Sequence, residues 1–354
     1  MILPYLVRLT VLSLACFFLA HAVLAIAMNW LAPWLLQLAE RRAPSSAARL
    51  LLAARLFPSV ASILVVTGVC IPSYLWLEPE AAVEQVGVAC LAAALLSTGI
   101  WAVSAARGLR AIVLSVRYQR HCRRLGRETR LAGEKTRVID GAGGLFALAG
   151  ILRPHLVISR AVLQTLSAEE LEAALRHERA HSLSRDNLKR LLLLLAPDVL
   201  PWGRLVACTR VVNPRKVAPI GNRRAGWQST PPHLPGLQSL EGGWAKFIEL
   251  SADDRAVGGD AGRSVSLAAA LVQVARLGVN MEASPLMNSL VADGRDLEAR
   301  VNRLLGAAQS EENTRQGTPA FIAASLLGAG TLLLASMGPA TLQAAHRLLE
   351  HLIR

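Results

Sequence analysis

The sequence predicts a mostly α-helical, polytopic membrane protein with four transmembrane helices and a cytoplasmic α+β domain carrying a small sheet. Two observations lead there. Of 354 residues, 53% are hydrophobic and only 18% are charged, and the apolar residues gather in long runs instead of the short periodic pattern of a soluble domain. The net charge of +13 is also unevenly placed, concentrated on particular links between those runs.

Charged residues are absent from 10–39, 56–77, 85–106 and 316–346. Each run can cross about 30 Å of hydrocarbon at about 1.5 Å per helical residue. Four spans are therefore expected, with cores near 9–31, 56–77, 85–106 and 319–338. Ala20-His21-Ala22 in the first run imitates a signal-peptide cleavage site, but apolar sequence continues to Leu38, so an uncleaved span is expected. His21, within that span, is expected to be buried against another helix.

The link after the first run carries Arg41, Arg42 and Arg49, with Arg55 at the edge of the second, whereas the next link carries Glu78, Glu80 and Glu84 and no Lys or Arg. A dense basic set from Arg107 to Arg130 follows the third run. The positive-inside rule then puts the first link and the region between spans three and four in the cytoplasm, with both termini outside. That geometry is expected of a bacterial inner-membrane protein. Basic charge beside a bilayer is accounted for by anionic headgroups and topology, so no nucleic-acid partner is expected. Five scattered cysteines without CxxC spacing indicate neither a disulfide framework nor a thiolate metal site.

The chain accordingly divides into three spans (1–106), a basic juxtamembrane connector (107–135), a cytoplasmic domain (136–315) and a fourth span with a short amphipathic tail (316–354). Within the domain, 136–139, 145–148 and 155–159 are expected to be extended, with Gly141, Gly143 and Gly144 turning between the first two. Helical spacing begins at Ala168, where Ser167 and Glu170 have the form of a capping box, and is expected to continue to about Leu195, before Pro197. The apolar stretch 191–202 is too short to span and belongs either to the core or against the membrane. The Pro-, Gly- and Arg-rich stretch 213–243 is expected to be a mobile loop, and helices are expected again over 244–257, 264–277 and 296–305.

The chemistry centres on His177-Glu178-Arg179-Ala180-His181. On a helix, residues four apart share a face, so both imidazoles can reach one zinc ion, the single cofactor expected. Glu178 is turned far enough round the helix to reach a water on that ion without binding the ion itself, which is the zincin division between two ligands and a base. An amphipathic helix with a solvated charged face is the competing explanation. A catalytic zinc needs a third protein ligand. Glu249 is the candidate, and Asp253, four residues on, is placed to accept a hydrogen bond from a ligand histidine.

The HERAH run, Leu183-Ser-Arg-Asp186 after it and Glu249-xxx-Asp253 further on resemble the membrane-bound gluzincin peptidases. These include the beta-lactam sensor-transducer peptidases of penicillinase and methicillin-resistance control, and the prenyl-protein and heat-shock membrane endopeptidases. The resemblance extends to the segment from Phe146 to Ser159, to Ser167-Ala-Glu-Glu-Leu171 and to the layout of three spans, domain and fourth span. It implies His177, His181 and Glu249 as zinc ligands, Glu178 as catalytic base, Asp253 behind a ligand and Asp186 as a structural partner. It also implies that Leu145, Phe146, Ala147, Leu148 and Ala149 form an edge strand along which a protein or peptide substrate lies extended. Few residues follow the fourth expected span, so the extracellular drug-binding domain of the sensors is not expected.

The function implied is proteolysis of a cytoplasmic or membrane-adjacent protein, a regulatory repressor or the chain itself; the alternative is a non-catalytic membrane signalling or scaffold protein that keeps the zincin fold. A homodimer stays open. With tyrosines only at positions 5, 74 and 118, the oxyanion donor is expected not to be a tyrosine, which leaves His233 and Arg255 as candidates.

Overall fold

A computed structural model describes residues 4–77, 86–131, 134–140, 143–151, 154–198, 237–278, 286, 288–290, 296–309, 343, 344 and 347. Three described helical runs are long and apolar enough to cross a membrane: α1 (Tyr5–Glu40), Pro44–Leu77 and α4 (Val88–Leu125). The middle run consists of α2 (Pro44–Val65) and α3 (Ile71–Leu77), joined through the π-helical turn Val66–Cys70. The expected fourth span and most of the tail lie outside the described residues, as does the expected mobile loop up to residue 236.

α4 has 38 residues, about 57 Å at the helical rise, and so continues well beyond any bilayer. Within the expected connector at 107–135 the chain is helix to Leu125, followed by strand β1 (Gly126–Leu131). The helix persists because Ala111, Ser115 and Cys122 are buried at helical spacing. Ala111 packs with Leu191 and Leu286, and Cys122 with Ile139, Leu145 and Ala147.

The sheet adds β2 (Glu134–Ile139), β3 (Phe146–Ala149), β4 (His155–Ser159) and β5 (Asn288–Ser289) in the order β1-β2-β4-β3-β5. Only β2 and β4 run parallel. The expected edge position of β3 is therefore corrected: Ala147 and Leu148 pair with β5 on the side away from β4. The fully buried Leu286 and Leu290 flank β5 and anchor it across that margin, and the Leu290 amide donates to the Phe146 carbonyl. Leu145 lies just outside β3, buried like the strand itself.

Between β4 and the metal-motif helix stands the short α5 (Arg160–Thr165), capped by the Ser159 hydroxyl. Then α6 (Ala168–Ser184) opens with the expected capping box: the Glu170 amide donates to Ser167 Oγ (3.2 Å) and the Ser167 amide to Glu170 Oε2 (2.9 Å). Replacing Ser167 by Ala is expected to lower stability by about 1 kcal/mol, readable as a reduced thermal unfolding temperature in detergent. The helix does not continue to Leu195 as expected. Arg185 takes the left-handed conformation (φ 53°, ψ 42°), and α7 (Asp186–Leu195) starts afresh. A side chain in that region costs roughly 1–2 kcal/mol; here it turns Asp186 back toward His181. Leu191 and Leu193 of α7 are buried, which puts this part of the apolar stretch in the core. α7 comes close to α4 at Gly108, where an added Cβ would meet the end of the Leu195 side chain.

The next helix, α8 (Leu237–Val257), begins earlier than expected and takes up the end of the expected loop. Leu240, Trp244, Phe247 and Ile248 bury one face of it against Ala32, Leu35 and Ala39 of α1 and Ala47, Leu51 and Ala54 of α2. Further along, Ala256 and Val257 belong to the domain core. That core packs Phe146, Leu156 and Ile158 of the sheet with Ala173 and Ala174 of α6, Leu267, Leu271 and Val274 of α9 (Ala261–Arg276) and Leu304 of α10 (Leu297–Gln309).

A polar knot ties the end of α7 to the apolar helices. Arg55 bonds Asp198 and, at 2.7 Å, Glu241, while Arg107 bonds Asp198 (2.9 Å) and the Ala196 carbonyl (3.1 Å). His21 is buried as expected, stacked on Phe17, but its Nε2 faces the Pro197 carbonyl at 3.2 Å.

Candidate metal centre

The second half of α6 carries His177, Glu178 and His181 into the interior, each at most 1% exposed. One helical turn separates the imidazoles, which meet edge to face with their Nε2 atoms 3.1 Å apart. From α8, Glu249 brings Oε2 to 3.5 Å from His177 Nε2 and 3.6 Å from His181 Nε2. Tetrahedral zinc with ligand bonds of about 2.1 Å spaces its ligand atoms by about 3.4 Å, so these three atoms fit one ion. Among the described residues this is the group with metal-ligand character.

Both second nitrogens face a carboxylate. His177 Nδ1 lies 2.9 Å from Asp253 Oδ1 and His181 Nδ1 lies 2.8 Å from Asp186 Oδ2. Carboxylates there keep hydrogen on Nδ1 and leave both Nε2 lone pairs for a metal, the support that metal-binding histidines commonly have. The left-handed Arg185 is what brings Asp186 within reach. Desolvation pulls His181 downward, but Glu249 and Asp186 outweigh it and hold the imidazole up to about 10. The surroundings thus favour positive charge between the rings, which a dication supplies.

Glu178 is different in kind. Its two oxygens are buried, and among the described residues neither has a hydrogen-bond partner. Burial pushes its pKa up to about 7, with the neighbouring histidines opposing. A buried carboxylate without a donor is costly unless a proton or a water completes it; beside a metal it is placed to take a proton from a bound water.

One participant had no sequence signal. Arg300 of α10, 5% exposed, donates from Nε and Nη2 to both oxygens of Asp253 (2.8 and 2.7 Å) and from Nη1 to the Leu290 carbonyl (3.1 Å). Nη1 also lies 3.2 Å from Glu249 Oε2. Asp253 is held down at about 2: burial raises it, and Arg300 with His177 more than offsets that. Arg255, a candidate oxyanion donor, points elsewhere, to Ser184 Oγ, Ser251 Oγ (3.1 Å) and the Ala180 carbonyl (3.4 Å); it braces α8 against the end of α6. His233 lies outside the described residues. Of the strand residues expected to meet substrate, Leu148 lines a cavity in front of Glu178. Phe146 belongs to the domain core and Leu145, Ala147 and Ala149 to a smaller cluster with Cys122.

No curated protein and no solved structure matches the chain. The profile of Peptidase family M48 matches residues 116–219, a stretch holding β1 to β4, the histidine pair and Asp186 and ending before Glu249. Together with the geometry of His177, His181 and Glu249, that match supports a metallopeptidase of family M48, without singling out the sensor-transducer or prenyl-protein branch.

Proposed function

We propose that the chain is a membrane-embedded zinc metalloendopeptidase acting on a cytoplasmic or membrane-adjacent protein. His177, His181 and Glu249 hold the ion and Glu178 is the base. The convergence of three ligand atoms beside a buried carboxylate that lacks a partner carries this reading, because a purely structural zinc site has no use for such a base. The basic links around the apolar helices support a cytoplasmic location for the centre.

When bound, zinc supplies a Lewis acid and lowers the pKa of water on it to about 7. Glu178 accepts the proton of the attacking water and returns it to the leaving amine. Asp253 and Asp186 hold the imidazoles in one tautomer and orientation. Arg300 in turn holds Asp253 and Glu249, keeping the third ligand aimed. Substrate lies in the cleft in front of Glu178, since β5 already pairs with the margin of β3.

The full chain, purified in detergent, is expected to carry one zinc per chain and to cleave β-casein. A chelator should abolish cleavage and added zinc restore it, and Glu249→Ala should weaken zinc binding at least about a hundredfold (the ligand itself being lost, where removal of a supporting partner alone costs about 10–100-fold). Cleavage that persists in metal-free protein, or a wild-type chain that binds no divalent ion, would overturn the assignment.

A further inference from the structure

We infer that the centre selects acidic peptides, with Arg123, Lys135, Arg137 and Arg179 reading carboxylate side chains on one side of the scissile bond. The inference rests on the peptidase reading above and names its substrate class.

A cavity of about 780 Å³ lies between α6 and the sheet, and Glu178 is among the residues that line it. It is toward the upper end of the ~300–1,000 Å³ typical of ligand sites. Its charged walls are those four cations with Glu128 and Glu178 itself. Glu128 lies 3.5 Å from Arg137 and 3.9 Å from Lys135, so it offsets at most part of the excess, and a dication at the ligands adds to the same sign.

The cations are differently held. Arg137 is 17% exposed and donates from Nη1 to the Arg123 carbonyl at 3.1 Å, so its planar fork is already oriented for a carboxylate. Arg123, Lys135 and Arg179 are exposed, and Arg123 stands on the helix end that borders the cavity. A cleft of one sign with low-dielectric walls concentrates oppositely charged substrate and loses that advantage as salt rises.

The opposite flank differs. A smaller cavity of about 310 Å³ shares Leu148, Pro154 and Ser182 with the first but is lined by His181, Arg185 and Asp186 in place of the four cations. Charge preference is therefore one-sided along a bound peptide.

Anionic lipid is the competing ligand, and the length of α4 disfavours it. Arg123 stands sixteen residues beyond Arg107, the first charge after the apolar run, which is about 24 Å of helix. Headgroup potential fades within a Debye length of about 8–10 Å.

The test uses the zinc-loaded full chain in nanodiscs and three otherwise identical fluorogenic peptide pools bearing Glu, Gln or Lys on one flank, with each flank tried in turn. On one flank, kcat/KM is expected to be about tenfold higher for Glu than Gln and higher still than Lys, mostly through KM, with the ranking flattening at high salt. Arg123→Glu with Lys135→Glu, both at exposed positions, should reverse the preference and rescue the Lys pool. Binding of fluorescein-labelled Glu, Gln and Lys peptides to the Glu178→Gln chain, followed by anisotropy, reads selectivity without cleavage.

Equal use of all pools, or a ranking unmoved by the double reversal, overturns the acidic preference while leaving the peptidase intact. Preferential binding of Glu peptides without cleavage by the wild type supports the cleft and sinks the peptidase. If the reversal weakens binding to phosphatidylglycerol vesicles but not the peptide ranking, the basic wall belongs to the membrane and the inference falls.

Discussion

Glu178→Gln is expected to keep its zinc and lose proteolysis by about a thousandfold, near the middle of the range for removal of a general acid or base. Glutamine preserves the size of the side chain and removes the group that takes the proton. The ligand atoms of His177, His181 and Glu249 are untouched, so metal content should match the wild type. The parallel measurement is zinc per chain and turnover of the same peptide. A fully loaded variant that cleaves at an undiminished rate would remove Glu178 from the chemistry. The pH profile gives a second check. Burial, opposed by the two histidines, brings Glu178 to about 7, a bound dication draws it lower, and only the ionised form is a base. Activity should therefore fall on the acid side of a limb at or below about 7, and this acid limb should be absent from the residual rate of the Gln variant.

Arg300→Met is expected to be the most destabilising single change in the domain, by about 3–5 kcal/mol. Methionine approximates the volume but leaves Asp253, which is fully buried, and Glu249 without their shared cation. Asp253 then keeps only His177, and Glu249 the two histidines with Arg190 at 3.8 Å, so both face a larger penalty of burial, which protonation or a metal relieves. Zinc should consequently stabilise the variant more than the wild type, a dependence visible in thermal unfolding with and without added metal. A variant as stable as wild type in metal-free buffer would show that Arg300 contributes little to holding these carboxylates.

The parts of the centre that the sequence displayed are those with local spacing. His177 and His181 stand one turn apart on a helix whose start is marked by Ser167 and Glu170, and Glu249 with Asp253 repeats that spacing. Arg300 carried no such mark: it acts across 47 residues of chain, and as one of 38 Lys and Arg residues nothing nearby sets it apart. The break at Arg185 was equally hidden, because neither glycine nor proline announces it and the left-handed turn is sustained by the contacts of Asp186. Strand β5 has two residues, too few for any period, and its register depends on Leu286 and Leu290 finding the core. In α4 the apolar run ends near Ala106 while the helix does not: its charge density marked the end of the apolar run, and small residues buried against α7 and the sheet carry the helix on.

The face of α8 opposite the metal ligands has a consequence for anyone wishing to prepare a water-soluble fragment. Trp244, Phe247 and Ile248 adjoin Glu249 along the chain, and they are covered by α1 and α2. A fragment beginning after the third apolar run would present that indole and its neighbours to solvent, and Asp198 would lose Arg55. The liberated surface would drive self-association, and Glu249 would lose the backing of its own helix, so the apolar helices form a wall behind the candidate metal centre as well as its tether.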